Sequence, residues 1–361
     1  MRILHTVSDY TRSGGIGTYL MALVAEQIFQ GHDCRVSAST HGRQPEVVDE
    51  VSWANFDLIH HHDYWRPPDM PHGLDAPVVQ SLHNYDFSCS SRTRYLSTAT
   101  PCLKPHGPKC VGNWSKCAHS PRINTLVKDY KATSFNLSLT KSADIVLAYS
   151  EHVGRIAKIN GVDGRKVRVA PCPMSRFAVD PSFEAAKPRL VSYFGRLSKP
   201  KGVIDLIHAT GDLEIEVRIV GDGYQRRELE SLAERVAPGR IEFFGWADKE
   251  QLGGLYSEST LVVMPGRWPE PFGLVGLEAG WAGRPVVATN SGGITDWLED
   301  GVTGLTFEPG SRDDLTAAIG SLAFDRDKAS ELGGNARRRM EAWPTVADHA
   351  EALMRDVYRS K

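Results

Sequence analysis

Short apolar runs at residues 3–7, 34–37, 58–60, 78–82 and 144–149, each closed by a polar or glycine-containing cluster, read as buried strands. Between them the spacing changes. Leu20, Leu23, Val24 and Ile28 keep the helical period from about residue 18 to 30, where Gly31 stops it. Leu126, Val127, Tyr130, Phe135, Leu137 and Leu139 mark a second helix over about 123–142, and Ser150 suits the cap of a third. A second series of strands follows at 190–194, 216–220, 241–244, 261–264, 285–289 and 304–307, with a polar helix at about 225–236. Short strands alternating with helices predict an α/β fold with parallel sheets. Pro171, Pro173, Pro181 and Pro188 form a linker between the two series. The expected organisation is two doubly wound domains, residues 1–180 and 185–344, facing across a cleft, with a last helix over about 345–361 packing back on the first.

One stretch breaks the rhythm. Residues 83–122 hold no period for long and predict a long functional loop. Between positions 92 and 141 stand nine Lys or Arg against one acid, Asp129, although the whole chain carries a net charge of only −2. An anionic acceptor or an anionic membrane surface suits that face, as does a helix with a solvated basic side; no nucleic-acid partner is implied. The 41% hydrophobic and 24% charged content is that of a soluble globular protein, and no apolar run nears the roughly 18 residues of a membrane span. The first residues enter a strand directly, so the expected location is the cytoplasm, with peripheral contact at the inner membrane face. Six cysteines do not make a disulfide scaffold in that compartment. Cys89, Cys102, Cys110 and Cys117, with His106 or His119 nearby, lack the tight spacings of common zinc sites; a loop ordered by its acceptor is the preferred reading.

The candidate chemistry centres on residues 267–278. Pro265-Gly266 ends a strand, Glu270 lies in a Pro/Gly loop, and a helix is expected to begin near Gly273 with Glu278 inside it. Free amides at Gly273, Leu274 and Val275 would hold an anion, with one carboxylate for hydroxyls on either side. The spacing suggests a ligand with a phosphate in the middle and polyols at both ends. Ser13-Gly14-Gly15-Ile16-Gly17, after the first strand, suits either a phosphate cradle or a tight turn. His60-His61-His62 ends another strand; neighbours there point to opposite faces, so the three do not bind one metal, and His62 or Asp63 reads as an acceptor contact.

Gly14-Gly15-Ile16-Gly17, Gly195-Arg196-Leu197 with Lys201-Gly202, Glu270-Pro271-Phe272-Gly273 with Glu278, and Ser291-Gly292-Gly293 come in an order and spacing that resembles the family 4 retaining glycosyltransferases. The resemblance implies a GT-B fold of two Rossmann-like domains, with a nucleotide-sugar donor held mainly by the second and a sugar, lipid-linked or small-molecule acceptor mainly by the first. It implies that Arg196 and Lys201 neutralise the donor diphosphate, that Glu270 grips hydroxyls of the donor sugar, and that Glu278 takes the ribose. Gly15, Ile16, Gly195, Phe272, Gly273, Leu274 and Val275 complete the implied donor site. His83 matches the family's histidine near the sugar and leaving group, and Trp246 either stacks on the base or fills the core. Arg92 and Arg94 of the basic loop join His62 and Asp63 on the acceptor side.

The implied reaction is transfer of a hexose with retention of configuration, a phosphate oxygen helping to remove the acceptor proton. No metal or other cofactor is implied, because Arg196, Lys201 and the helix amides supply the positive charge. Asp325-Arg326-Asp327 resembles the metal-binding pair of another transferase fold but reads as a solvated helix start. Many family members carry Asn-Gly after the interdomain proline, whereas this chain has Pro171-Cys172-Pro173-Met174. A nucleotide-sugar 2-epimerase shares the fold, but it needs an acid/base pair at C2 that does not stand out here. A non-catalytic sugar-nucleotide binder is the third reading, and the intact set Arg196, Lys201, Glu270 and Glu278 argues against it.

Overall fold

The computed structural model describes the chain apart from residues 12–14, 42, 43, 49, 72, 74, 97–99, 118–122, 175, 212, 360 and 361. Ser13, Gly14, His119 and Arg122 therefore lie outside the described residues. Contacts divide the chain into two units: Met1–Arg92, Leu103–Pro173 and Pro344–Lys361 form the first, and Thr93–Cys102 with Met174–Trp343 the second. The main division thus falls at Pro173, somewhat before the boundary suggested by the proline spacing. The segment Thr93–Cys102, expected with the first domain, groups with the second because Tyr95 is buried within electrostatic reach of Arg267, Tyr224 and Asp205.

In unit 1, β1 (Arg2–Tyr10), α1 (Gly15–Phe29), β2 (Asp33–His41), β3 (Leu58–His61) and β4 (Val78–Leu82) come first. The basic loop carries only a short helix, α2 (Lys109–Gly112), before α3 (Ile123–Ser142), β5 (Ile145–Ala148), α4 (Glu151–Ile159) and β6 (Val167–Val169). The sheet is parallel in the order β2-β1-β3-β4-β5-β6. β1 and β2 run longer than their apolar cores suggest because they pair in register from Arg2↔Asp33 to Tyr10↔His41. Ser150 Oγ caps α4 by accepting from Val153 N at 3.2 Å. Strand order reverses between β1 and β3, so the end of β1, the start of α1 at Gly15 and Asp63 after β3 stand at the switch point, where open sheets bind ligands.

In unit 2 the elements are β7 (Leu190–Phe194), α5 (Val203–Thr210), β8 (Glu216–Val220), α6 (Arg226–Val236), β9 (Ile241–Gly245), α7 (Lys249–Glu258), β10 (Leu261–Met264), α8 (Leu274–Trp281), β11 (Val286–Thr289), β12 (Gly304–Phe307), α9 (Arg312–Ala323) and α10 (Arg326–Glu341). This sheet is also parallel, β12-β11-β10-β7-β8-β9, with its switch point between β7 and β10. Its core packs Val191, Val217, Ile219, Leu261, Val263 and Val287 beneath Leu206, Leu229 and Leu315 of the flanking helices. The chain then returns to unit 1 as α11 (Val346–Ala352) and a wider turn, Leu353–Val357, which bury His349, Leu353 and Met354.

Candidate functional site

The loops after β7 and β10 meet at the unit 2 switch point because glycines let their backbones touch. Gly202 adopts φ +69°, and a Cβ there would stand 1.9 Å from the Pro265 oxygen. The Arg267 amide donates to the Pro200 oxygen at 2.8 Å, so the two loops are tied together. Lys201, one residue before Gly202, is thereby brought to Glu270: Nζ donates to Oε1 and lies 5.1 Å from the Trp268 ring centre. Trp268 Nε1 donates to the same oxygen at 2.9 Å. Glu270 is only 6% exposed, and its partners hold a fixed carboxylate in a drained corner. Its backbone is fixed as well. The Gly293 amide donates to the Glu270 oxygen at 2.7 Å, and Gly292 pairs with it as a bridge.

Gly273 begins α8 at φ +93°, which leaves the amides at Leu274 and Val275 in the first turn, as the sequence predicts. Phe272 is buried, and its oxygen accepts from Trp297 Nε1 at 2.7 Å. In the helix, Glu278 Oε2 accepts from Tyr256 Oη at 2.7 Å; Tyr256 is buried and stacks on Phe194, ring centres 3.9 Å apart. Gly195 follows β7 at φ +143°, and Arg196 is exposed and makes no ion pair among the described residues. Trp246 is 67% exposed, so it does not fill the core. Asp325 caps α10 by accepting from Lys328 N at 3.0 Å, the helix-start role expected of it.

The predicted residues of unit 1 lie in different surroundings. Gly15 opens α1 with open space around it, and Ile16 is half-buried. Asp63 accepts from the Ser8 amide at 2.7 Å and from the Trp65 amide at 2.9 Å, so it joins the ends of β1 and β3. Arg92 is exposed and pairs with Asp86 at 3.3 Å, whereas Arg94, in unit 2, is buried and donates to the Cys102 oxygen at 2.6 Å. His62 is 1% exposed, between His5 (3.0 Å) and His83 (3.3 Å). His61 points the other way, to Thr6 Oγ1, as strand alternation requires. His83 is half-buried and stacks on Tyr149 at 4.5 Å; burial, then the neighbouring His349, pushes its pKa down to about 3.

The only group set within metal-ligand reach among the described residues is His5, His60 and His62; the four loop cysteines form no such cluster. Sequence reasoning gave no role to Trp268, Tyr256 or Tyr149. Trp268 sits inside the motif stretch and carried a signal by position. Tyr256 meets Glu278 in unit 2, and Tyr149 meets His83 in unit 1, through tertiary packing alone.

Comparison with known proteins follows this geometry. Residues 176–339 match the family model described as "Glycosyl transferases group 1". That region holds Arg196, Lys201, Glu270 and Glu278. Over 178 residues the chain is 35% identical to the glycogen synthase of Mycobacterium tuberculosis, covering 46% of this chain and 43% of that protein. It is 28% identical over 323 residues to the sulfoquinovosyl transferase SQD2 of Arabidopsis thaliana, covering 83% of this chain and 56% of that one. The chain spans about half the length of these curated relatives. The crystal structure of HepE from Anabaena in complex with UDP and glucose superposes with a TM-score of 0.71 at 19% identity, covering 98% of both chains. The fold is therefore GT-B, with two Rossmann-like domains; the group 1 match lies in the second.

Proposed function

We propose that this chain is a metal-independent, retaining glycosyltransferase of the family 4 type. It moves a hexose from a nucleoside diphosphate sugar to an acceptor hydroxyl, in the biosynthesis of a polysaccharide, a glycolipid or a glycosylated natural product. The observation that carries the reading is the pairing of Lys201 with buried Glu270 at the unit 2 switch point, with exposed Arg196 on the loop that carries Lys201. An ammonium has three donors, so Lys201 retains two for a phosphate while one remains on Glu270. The α8 amides add partial positive charge at the same corner.

The chemistry follows from those charges. The bond from sugar C1 to the diphosphate oxygen breaks, its electron pair leaves on the diphosphate, and Arg196, Lys201 and the α8 amides stabilise that charge. The acceptor oxygen bonds to C1 on the same face, and its proton passes to a phosphate oxygen. Glu270 accepts from sugar hydroxyls and Glu278 from the ribose. His83 serves the transferred sugar.

The acceptor side belongs to unit 1. Exposed Leu103, Val111, Val127 and Phe135 accompany exposed Lys104, Lys109, Lys128 and Lys131, a pattern suited to an anionic membrane surface or a lipid-linked acceptor. Among the described residues no helix is long and apolar enough to cross a membrane. The proposed location is the cytoplasmic membrane face.

Thermal shift with uridine and guanosine diphosphates and their hexose conjugates tests the donor site. A ligand at about 100 times its Kd stabilises by roughly 2.7 kcal/mol. Lys201→Ala and Arg196→Ala are expected to lose most of that shift. Full retention in both variants shows the diphosphate assignment to be wrong. With the donor known, turnover unchanged by a chelator and a product of unchanged anomeric configuration are the expected results.

A further inference from the structure

Ten side chains of unit 1 form one continuous hydrogen-bonded chain, and its direction follows from one end. His349 hydrogen-bonds the carbonyl of Pro171, which only accepts. Burial keeps the ring neutral, so Nε2 holds a lone pair and Tyr19 Oη donates to it at 2.9 Å. With its one proton used, Tyr19 accepts from Tyr149 Oη at 3.1 Å, and Tyr149 in turn accepts from Ser81 Oγ at 2.9 Å. Ser81 must then accept from His60 Nε2 at 2.7 Å. His60, also neutral by burial, has only a lone pair left at Nδ1, and the Tyr358 hydroxyl donates to it at 2.7 Å.

The next residue checks this direction. Tyr358 oxygen now needs a donor, and the Gln27 amide nitrogen faces it at 3.4 Å. The Gln27 oxygen points the other way and accepts from His5 Nε2 at 2.9 Å. His5 Nδ1 therefore accepts from His62 Nε2 at 3.0 Å, and His62 Nδ1 from His83 Nε2 at 3.3 Å. A neutral imidazole has one N–H, so the proton of His83 is committed inward.

We infer that this one-way chain fixes His83 as the Nε2-protonated tautomer and leaves Nδ1 as a hydrogen-bond acceptor, with His62, His5 and Gln27 as positioning residues that act through it. Nothing among the described residues donates to Nδ1 of this half-buried ring. An acceptor-only nitrogen recognises a hydroxyl and repels an unprotonated phosphate oxygen. On the donor reading above, which supplies only the identity of the ligand, His83 therefore serves a sugar hydroxyl and not the leaving diphosphate.

The test is nitrogen-15 spectroscopy of the full-length protein labelled on histidine, at pH 7, with rings assigned by single substitutions. His83 is expected with its proton on Nε2, and His349 with its proton on Nδ1, the tautomer that a free histidine side chain disfavours. His62→Leu removes the acceptor for His83 and should give averaged ring shifts, while His62→Gln, whose side-chain oxygen accepts, should restore a single tautomer. Where turnover is measurable, one monodeoxy donor should lose at least about tenfold in kcat/KM, and that discrimination should shrink in His62→Leu. A His83 proton on Nδ1, or a His349 proton on Nε2, overturns the inference in the unsubstituted protein. So does a visible cobalt(II) band with the rings of His5, His60 and His62 as ligands, since their nearest ligand atoms lie within 4.8 Å of one another. The tautomers are read without any substrate, so a failed donor assignment leaves this result standing on its own.

Discussion

Moving from pH 7 to pH 5 charges a histidine in an unfolded chain but not one whose folded pKa lies near 4 or below. Burial pushes His5 and His349 down to about 4 and His83 to about 3, and it holds His60, His61 and His62 well below the ordinary 6.5. These folded values lie below the unfolded one. The stability they contribute is therefore complete above about pH 6.5 and is lost as the pH falls toward 4. Each of His5, His83 and His349 lowers folding stability by roughly 2 kcal/mol between pH 7 and pH 5. Together the three remove roughly 6 kcal/mol, comparable with the whole stability of many domains. Unit 2 contains one histidine, His208, which is half-buried, and so provides an internal control. Scanning calorimetry from pH 7.5 to 5 should show the unit 1 transition falling by about 10 °C or more, with that of unit 2 moving little. Amide exchange in β3 and β4 should accelerate over the same range even if the two transitions merge. A flat unit 1 profile, or equal shifts in both units, refutes the reasoning.

Other expectations concern unit 2 and the basic face. A Cβ on Gly276 would stand 1.9 Å from Trp297 Cη2, so Gly276→Ala should destabilise by roughly 1–3 kcal/mol in urea unfolding and disturb the Phe272 loop that Trp297 holds. Tyr256→Phe removes the 2.7 Å donor to Glu278 and should reduce the preference for a ribose over a deoxyribose diphosphate, measured by calorimetric titration. Binding to anionic vesicles should be strong in dilute buffer, fall steeply with added salt, and weaken in Lys128→Glu with Lys131→Glu. Salt-insensitive binding argues against the electrostatic part of that reading.

The strands and the strand-loop-helix corner over residues 261–281 were legible because each is local. The run Leu261–Met264 is apolar throughout and stands fully buried, and Gly273 begins the helix after it, as a glycine ahead of an apolar run suggests. The partner that holds Glu270 was less legible, since Lys201 lies 69 residues away and reaches it only through the loop contact at Gly202. The histidine chain could not be read at all beyond the alternation of His60 and His62. Its members come from four strands or strand ends, one helix and the final segment, and no spacing in sequence records their meeting. The grouping of Tyr95 with unit 2 was hidden for a related reason: a loop without periodicity gives no sign of which core will bury its aromatic residue.

The return of the last helix to the first unit also bears on the order of folding during synthesis. Apart from Thr93–Cys102, unit 2 is one uninterrupted stretch, and all its partners have been made once Trp343 is joined. Unit 1 still lacks His349 and Tyr358 at that moment, so Tyr19 and His60 await their hydrogen bonds while a later stretch can already collapse. Domains commonly fold in the order in which they leave the ribosome. Here the half begun first is the half completed last, and a stalled or shortened nascent chain would present a closed unit 2 and a unit 1 that still lacks the partners of Tyr19 and His60.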